Sequence, residues 1–297
     1  MTRPLIIHHN DLDGVASAWA ALQHPDWAGA ETMAADYGED PPDADQFMGR
    51  PVLIVDFSYS RDTLEWMNTW ADGLQVFEHH DRPDLDGLPY VVLDKTKSGA
   101  TLTWRQLHST QPSLILRYVE DYDLWKFELP DSDVITAALN SYPYTVEQFR
   151  LLERRFAMTR GELRLEGEAI VRYRTAIIQE IARQAHEVVG CRYPGLPCDI
   201  PLTFRWLFVA VQCSSRALTA KLGGYMASTL EIEGVPTPFA AVYYWDLDLG
   251  AYHVSLRSVE GGVDVAQIAR RYGGGGHKHA AGFRCEVLPW VERNEAE

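Results

Sequence analysis

No run of roughly eighteen uncharged apolar residues occurs in the chain, which argues against a hydrophobic transmembrane helix. The opening stretch, Met1 to Asn10, turns polar too soon for a secretory signal, and a cytoplasmic protein is expected. Cysteine is scarce. Cys191, Cys198, Cys213 and Cys285 contain no C-x-x-C pair, so a structural zinc site is not expected and scattered reduced thiols are. Basic residues are also short: 27 Lys and Arg against 42 Asp and Glu give a formal charge of −15. That balance argues against wrapping a long nucleic acid, whose non-specific affinity comes from neutralised phosphates, yet a short anionic ligand needs only a local basic pocket. Internal repeats and low-complexity tracts are missing as well.

What is present is an ordinary globular composition, 46% hydrophobic and 23% charged over 297 residues, enough for two domains. In the first half, apolar segments alternate with helical patterns: Leu5 to Ile7, Val52 to Val55, Leu74 to Phe77 and Tyr90 to Leu93 read as strands, with helices at Val15 to Leu22, Thr63 to Trp70 and Ala100 to Leu107. This rhythm predicts an α/β domain on a parallel sheet, in which functional groups gather at the carboxyl edge. Thr145 to Val189 reads as helical, interrupted at Gly161 and Gly167. The segment Gly190 to Pro201, with Pro194, Gly195, Pro197 and Pro201, is the expected linker. Strands at Phe204 to Val211, Phe239 to Tyr244 and His253 to Arg257, with helices at Ser215 to Leu222 and Val265 to Tyr272, predict a second, smaller α/β domain. The expected domains cover residues 1–190 and 201–290.

Several strand ends carry groups suited to hard divalent cations. His8-His9-Asn10-Asp11-Leu12-Asp13-Gly14 places two imidazoles and two carboxylates after the first strand; Asp56 ends Val52 to Val55; Glu78-His79-His80 ends Leu74 to Phe77. Asp121 and Asp123 offer one more carboxylate. A strand-end Asp is commonly a helix cap and surface histidines are commonly solvated, but four such placements in one α/β half favour a metal centre. A two-metal site needs a bridging carboxylate between ions about 3.5 to 4 Å apart, and Asp56 is placed to bridge. Carboxylate-rich ligation without thiolate favours Mn2+ or Mg2+ over Zn2+.

A second motif, Gly273 to Phe283, runs from four glycines into His277-Lys278-His279 and an apolar strand start. Glycines leave backbone N–H groups open to an anion, so an anion pocket is expected here, with Gly275, Gly276 and the basic side chains His277 and Lys278 as its candidates. Arg257 is the best placed guanidinium for a bidentate phosphate contact, ahead of Arg216. Ser98, in Lys97-Ser98-Gly99-Ala100, reads as a helix N-cap. Trp125 and Trp245 are candidates to stack on a base.

On these motifs the chain resembles the DHH phosphoesterase superfamily, which includes RecJ-like exonucleases, nanoRNases, nucleotide phosphatases and cyclic-dinucleotide phosphodiesterases. The likeness spans nearly the whole length: its motifs correspond to His8 through Gly14, Asp56, Glu78-His79-His80 and Asp121, and the DHH-associated C-terminal domain to the glycine motif. The resemblance implies a DHH catalytic domain over 1–190 joined by helices and a linker to a substrate-binding domain over 201–290. It implies His8, Asp11 and Asp56 on one Mn2+ ion and Asp13, Asp56, His79 and Asp121 on a second, with His9 and Asp123 as runners-up and Mg2+ as the alternative ion. It implies hydrolysis of short oligonucleotides, dinucleotides or nucleoside bisphosphates by in-line attack, with His80, Asp13 and Asp56 catalytic. A RecJ-like exonuclease, a cyclic-dinucleotide phosphodiesterase and a non-catalytic nucleotide-binding relative are the alternatives. The last arises because the first residue of the usual Asp-His-His triplet is Glu78 here. A nucleotide or oligonucleotide partner is expected, a membrane is not, and a homodimer is left open.

Overall fold

The apolar runs of the first half form parallel strands, as expected of segments buried on both faces. In the computed structural model, which describes residues 2–190, 206–247 and 249–292, they belong to the first of two compact units, Met1–Val171 and Arg172–Glu297. In chain order the first unit comprises β1 (Leu5–His9), α1 (Leu12–Leu22), β2 (Glu31–Ala35), α2 (Ala44–Phe47), β3 (Val52–Val55), α3 (Arg61–Trp70), β4 (Leu74–Glu78), β5 (Val91–Leu93), α4 (Gly99–Leu107), α5 (Leu114–Asp123) and α6 (Ser132–Leu139). The division between the units falls inside α7 (Val146–Ala182).

All five strands pair in parallel, in the order β2-β1-β3-β4-β5. Strand residues alternate between the two faces. Leu5, Ile7, Val52, Ile54 and Val76 pack with Phe47, Leu64 and Met67 on one side. Ile6, Leu53, Val55 and Phe77 pack with Ala18, Ala21 and Leu102 on the other. The order reverses between β1 and β3, and in open α/β sheets ligands bind at the carboxyl end of such a switch point. His9 and Asp56 stand at those two strand ends.

The second unit is built on a seven-stranded mixed sheet. Its elements are β6 (His186–Gly190), β7 (Trp206–Gln212), α8 (Arg216–Thr229), the short hairpin β8 (Glu231–Ile232) and β9 (Val235–Pro236), β10 (Ala240–Asp246), β11 (Ala251–Arg257), α9 (Val265–Arg270), β12 (Gly275–His277), β13 (Ala280–Cys285) and β14 (Trp290–Glu292). The sheet order is β12-β13-β11-β10-β7-β6-β14, and among the described residues only β10 and β7 run parallel. Phe208, Phe239, Val254 and Phe283 pack with α9 on one face, while Val209, Val211 and Val242 pack with Leu222 and Met226 of α8 on the other.

Three features depart from the sequence reading. The edge strand β2 carries mostly exposed side chains, so no apolar run announces it. Helix was expected to reach Val189, but His186–Gly190 is a strand that pairs with β7 and β14 within the second compact unit. The expected interruptions at Gly161 and Gly167 are both helical, and the break in α7 is at Thr159, whose φ of −141° and ψ of 47° leave the helical region. The expected linker lies outside the described residues apart from Gly190, as do Cys191 and Cys198.

Gly167 serves close packing instead: a Cβ built there would stand 1.9 Å from the Val134 carbonyl oxygen of α6, whereas one at Gly161 would meet nothing within 4 Å. Gly167→Ala is therefore expected to destabilise the protein by about 1–3 kcal/mol through overpacking. Gly161→Ala should stabilise it by up to about 1 kcal/mol by restricting the unfolded chain. Urea unfolding midpoints that move together, rather than in opposite directions, would refute this reading.

Candidate metal centre and anion pocket

The turn after β1 is set by two short side chains. Asp11 caps α1, its Oδ1 accepting from Gly14 N at 2.8 Å. Gly14 has no room for a side chain, since a Cβ there would meet the His9 carbonyl oxygen at 2.1 Å. Asp13, buried in the first turn of α1, accepts from Gly99 N at 2.6 Å and Ala100 N at 3.1 Å at the start of α4. Ser98 caps that helix, accepting from Thr101 N, as its sequence context predicts. Gly99 also lies against Asp56, with a built Cβ 2.4 Å from Asp56 Cβ. Asp56 itself is left-handed, with φ of 60°, an uncommon and strained conformation for a non-glycine residue.

These constraints draw carboxylates and imidazoles together around Asp56. His9 Nδ1 lies 2.7 Å from Asp11 Oδ2 and 3.8 Å from Asp56 Oδ2. His79 Nε2 lies 2.9 Å from Asp56 Oδ1, 3.8 Å from Asp13 Oδ2 and 3.7 Å from Asp123 Oδ2. One group of donor atoms thus comes from His9, Asp11 and Asp56, a second from Asp13, His79 and Asp123, and a third from Asp56, His79 and His80. Asp56 is fully buried, yet neither of its carboxylate oxygens has a hydrogen-bond partner. Burial, reinforced by the charges of Asp13, Asp11 and Asp123, pushes its carboxyl well above the usual range. Loss of solvent, with Asp13 and Asp11 nearby, pushes Asp123 up too. Burial lowers His79, which favours the neutral imidazole that ligates metals. The uncompensated, buried Asp56 carboxylate beside the neutral His79 imidazole fits the requirements of hard divalent cations, while burial of His9 is outweighed by hydrogen bonding and charge from Asp11, which raise it.

Two sequence expectations are corrected in placement. His9, not His8, reaches this cluster: adjacent strand residues point to opposite faces, and the buried His8 ring has Nδ1 2.8 Å from the His9 carbonyl oxygen. Asp123, not Asp121, joins it. Two residues apart on a helix, their side chains diverge by about 200°, and Asp121 turns inward to accept from Glu128 N at 2.9 Å and Leu129 N at 3.1 Å.

Glu78 lies beneath the cluster as a hub. Its Oε1 accepts from His79 N, His80 N and His80 Nδ1 at 2.8, 2.9 and 2.7 Å. Its Oε2 accepts from Ser58 Oγ at 2.7 Å and Tyr37 Oη at 3.1 Å. Arg82 in turn donates to the carbonyl and hydroxyl oxygens of Ser58. The longer carboxylate thus orients the His80 ring and also fixes the backbone of both histidines. Nothing in the local sequence marks Tyr37 or Ser58, because they reach Glu78 from the segments after β2 and β3, and Arg82, which follows β4, acts through Ser58.

In the second unit, Arg257 lines a cavity of about 630 Å³ with Tyr244, His253, Gly273, Gly274 and Arg284. Its Nη1 donates to Ser255 Oγ at 2.9 Å and to Leu256 O at 2.8 Å, and burial lowers its pKa. The other expected anion contacts are placed differently. Gly275, Gly276 and His277 form the exposed edge strand β12, paired with β13, and do not line this cavity. The glycines there allow close backbone approach: a Cβ at Gly274 would stand 2.1 Å from the Gly282 carbonyl oxygen.

Residues 207–294 match the family model described as the DHHA1 domain. The chain is 24% identical over 246 residues, 80% of its length, to an uncharacterized protein of Acanthamoeba polyphaga mimivirus. It is 53% identical over 45 residues, 15% of its length, to the oligoribonuclease NrnB of Bacillus subtilis. It spans 54% of the first relative's length and 11% of the second's. The structure of RecJ from Thermus thermophilus in complex with Mn2+ shares the fold, with a TM-score of 0.51 and 16% identity, covering 95% of this chain and 49% of that one.

Burial pushes the Glu78 carboxyl up, but hydrogen bonds and charge from His80, together with Ser58, outweigh it and hold the group at about 2 instead of 4.5. Because the folded value is depressed, its stabilisation is fully present above about 4.5 and is lost as pH falls toward about 2. Glu78→Gln should cost on the order of 3 kcal/mol at neutral pH and flatten that acid limb. An unchanged limb in chemical denaturation across this range would contradict the hub role.

Proposed function

We propose that this chain, whose residues 207–294 match the DHHA1 domain model, is a divalent-metal-dependent phosphoesterase of the DHH superfamily acting on short oligonucleotides, dinucleotides or nucleoside bisphosphates. The observation that carries this reading is the Asp56 carboxylate, buried without a hydrogen-bond partner and shared between two groups of donors. His9, Asp11 and Asp56 would hold one ion, and Asp13, Asp56, His79 and Asp123 the other. Oxygen-rich ligation with two imidazoles and no thiolate suits Mn2+, with Mg2+ as second choice. When bound, such ions supply a nucleophile at neutral pH and neutralise charge on the phosphoryl oxygens.

The protein's own groups prepare the rest. The α4 N–H groups fix the Asp13 carboxylate, and the left-handed Asp56 carries its oxygens 2.9 Å from His79 Nε2 and 3.8 Å from His9 Nδ1. Hydrogen bonding of Nδ1 to Glu78 leaves the His80 Nε2 atom to exchange a proton with the leaving group. In the second unit, Arg257 is the group proposed to bind a substrate phosphate, with His277 exposed on β12 as a further contact. The net charge of −15 favours short substrates over a long strand.

With Mn2+ supplied, the protein should hydrolyse a 5′-phosphorylated dinucleotide or a nucleoside bisphosphate faster than a long single strand or a cyclic dinucleotide. Inactivity toward the whole panel would refute the reading. Asp56→Asn should lower turnover by at least about a hundredfold. Titration calorimetry with Mn2+ should show weakened binding in His9→Ala but not in His8→Ala; equal losses would return His8 to the ligand set.

A further inference from the structure

An aromatic group flanks Asp123, with Trp125 exposed and Tyr122 and Phe127 half-buried, and the proposed reaction leaves it unused. The backbone turns sharply after α5, with Trp125 N donating to Tyr122 O at 3.0 Å, and Lys126 N and Phe127 N to Asp121 O at 2.9 and 3.3 Å. Trp125 and Phe127 both adopt left-handed conformations, with φ of 56° and 52°. Helices often end in such a residue, but glycine is its usual occupant because a side chain is disfavoured there. Here two of three successive residues are large aromatics in that strained state. The buried Asp121 carboxylate stabilises the turn by receiving the N–H groups of Glu128 and Leu129.

The rings form a mutually supporting group. Trp125 and Phe127 centroids are 4.9 Å apart at 77°, and Tyr122 lies 5.9 Å from each. Trp125 is 54% exposed. Asp123, with Oδ2 3.7 Å from His79 Nε2, precedes Trp125 by two residues, so their Cα atoms are no more than about 7 Å apart. Strained backbone concentrates at ligand-binding sites, and an aromatic face suits the π-face of a nucleobase. The nearby Lys126 ammonium is 3.7 Å from Glu120.

Resting on the phosphoesterase reading, we propose that Tyr122, Trp125 and Phe127 form a stacking platform for a nucleobase of the substrate beside the metal centre, with Asp121 as its positioning residue. The platform makes the enzyme selective for phosphoesters that carry a base on the Asp123 side of the centre.

The test uses the full chain with Mn2+ and two substrates, a 5′-phosphorylated adenine dinucleotide and its doubly abasic counterpart. The ratio of their kcat/KM values should fall by roughly tenfold or more in Trp125→Gly, while Trp125→Phe should keep most of it. An unchanged ratio in Trp125→Gly would overturn the proposal. So would a fall that occurs only together with a lower thermal midpoint, since Trp125 would then be a packing residue. AMP binding, measured by calorimetry, should weaken by a similar factor in Trp125→Gly and persist in Trp125→Phe. If neither substrate is turned over but AMP binding follows this pattern, the platform stands and the phosphoesterase reading fails. If turnover occurs while AMP binding and the ratio are unaffected, the platform fails and that reading stands.

Discussion

The crowding of negative charge around a dry carboxylate organises the first unit. Asp56 is buried, accepts no well-aligned hydrogen bond although His79 Nε2 lies 2.9 Å from its Oδ1, and faces Asp11, Asp13 and Asp123. In a low-dielectric interior, like charges so close raise one another's proton affinity sharply and demand a positive partner. Other features can be understood as holding that crowd together. Two N–H groups at the start of α4 fix Asp13, and the cap of α1 fixes Asp11. The apolar four-residue β3 delivers Asp56 to the edge where the sheet order reverses.

Glu78 completes the picture from below. It stands at the end of β4, and its two carboxylate oxygens serve different partners. One gathers the His79 and His80 segment, and the other joins Tyr37 and Ser58 from the ends of neighbouring strands. A residue that looks like a departure from the superfamily pattern is thus fully engaged with its surroundings. The buried network links β3, β4 and the segment after β2 at one edge.

The sequence was most legible where one physical rule dominated. Continuous apolar runs identified β1, β3 and β4, because strands buried on both faces need them. Alternation then left the choice between His8 and His9 to backbone register, and the choice between Asp121 and Asp123 to helical phase; neither phase is written in residue identity. β2 escaped notice because its side chains are mostly exposed. β6 was masked by a helical continuation, since Val188 and Val189 suit either structure until pairing with β7 decides. The glycine run was correctly marked as a place of unusual backbone. Its use is close strand contact along β12, and it is Gly273 and Gly274 that reach the cavity beside Arg257.

Gly99 links structure to chemistry in one further way. Its N–H holds Asp13 while its side-chain-free Cα touches Asp56, so a single peptide unit bears on both carboxylates without slack. Farther along the same helix, Trp104 stacks with Trp19 of α1 at 6.1 Å. The helix is therefore a lever with its fulcrum in the aromatic packing and its working end at the centre. A small tilt introduced at Trp104, which stacks on His108 as well as Trp19, would bear on both carboxylates together, so the aromatic contact and the acidic residues share one rigid element.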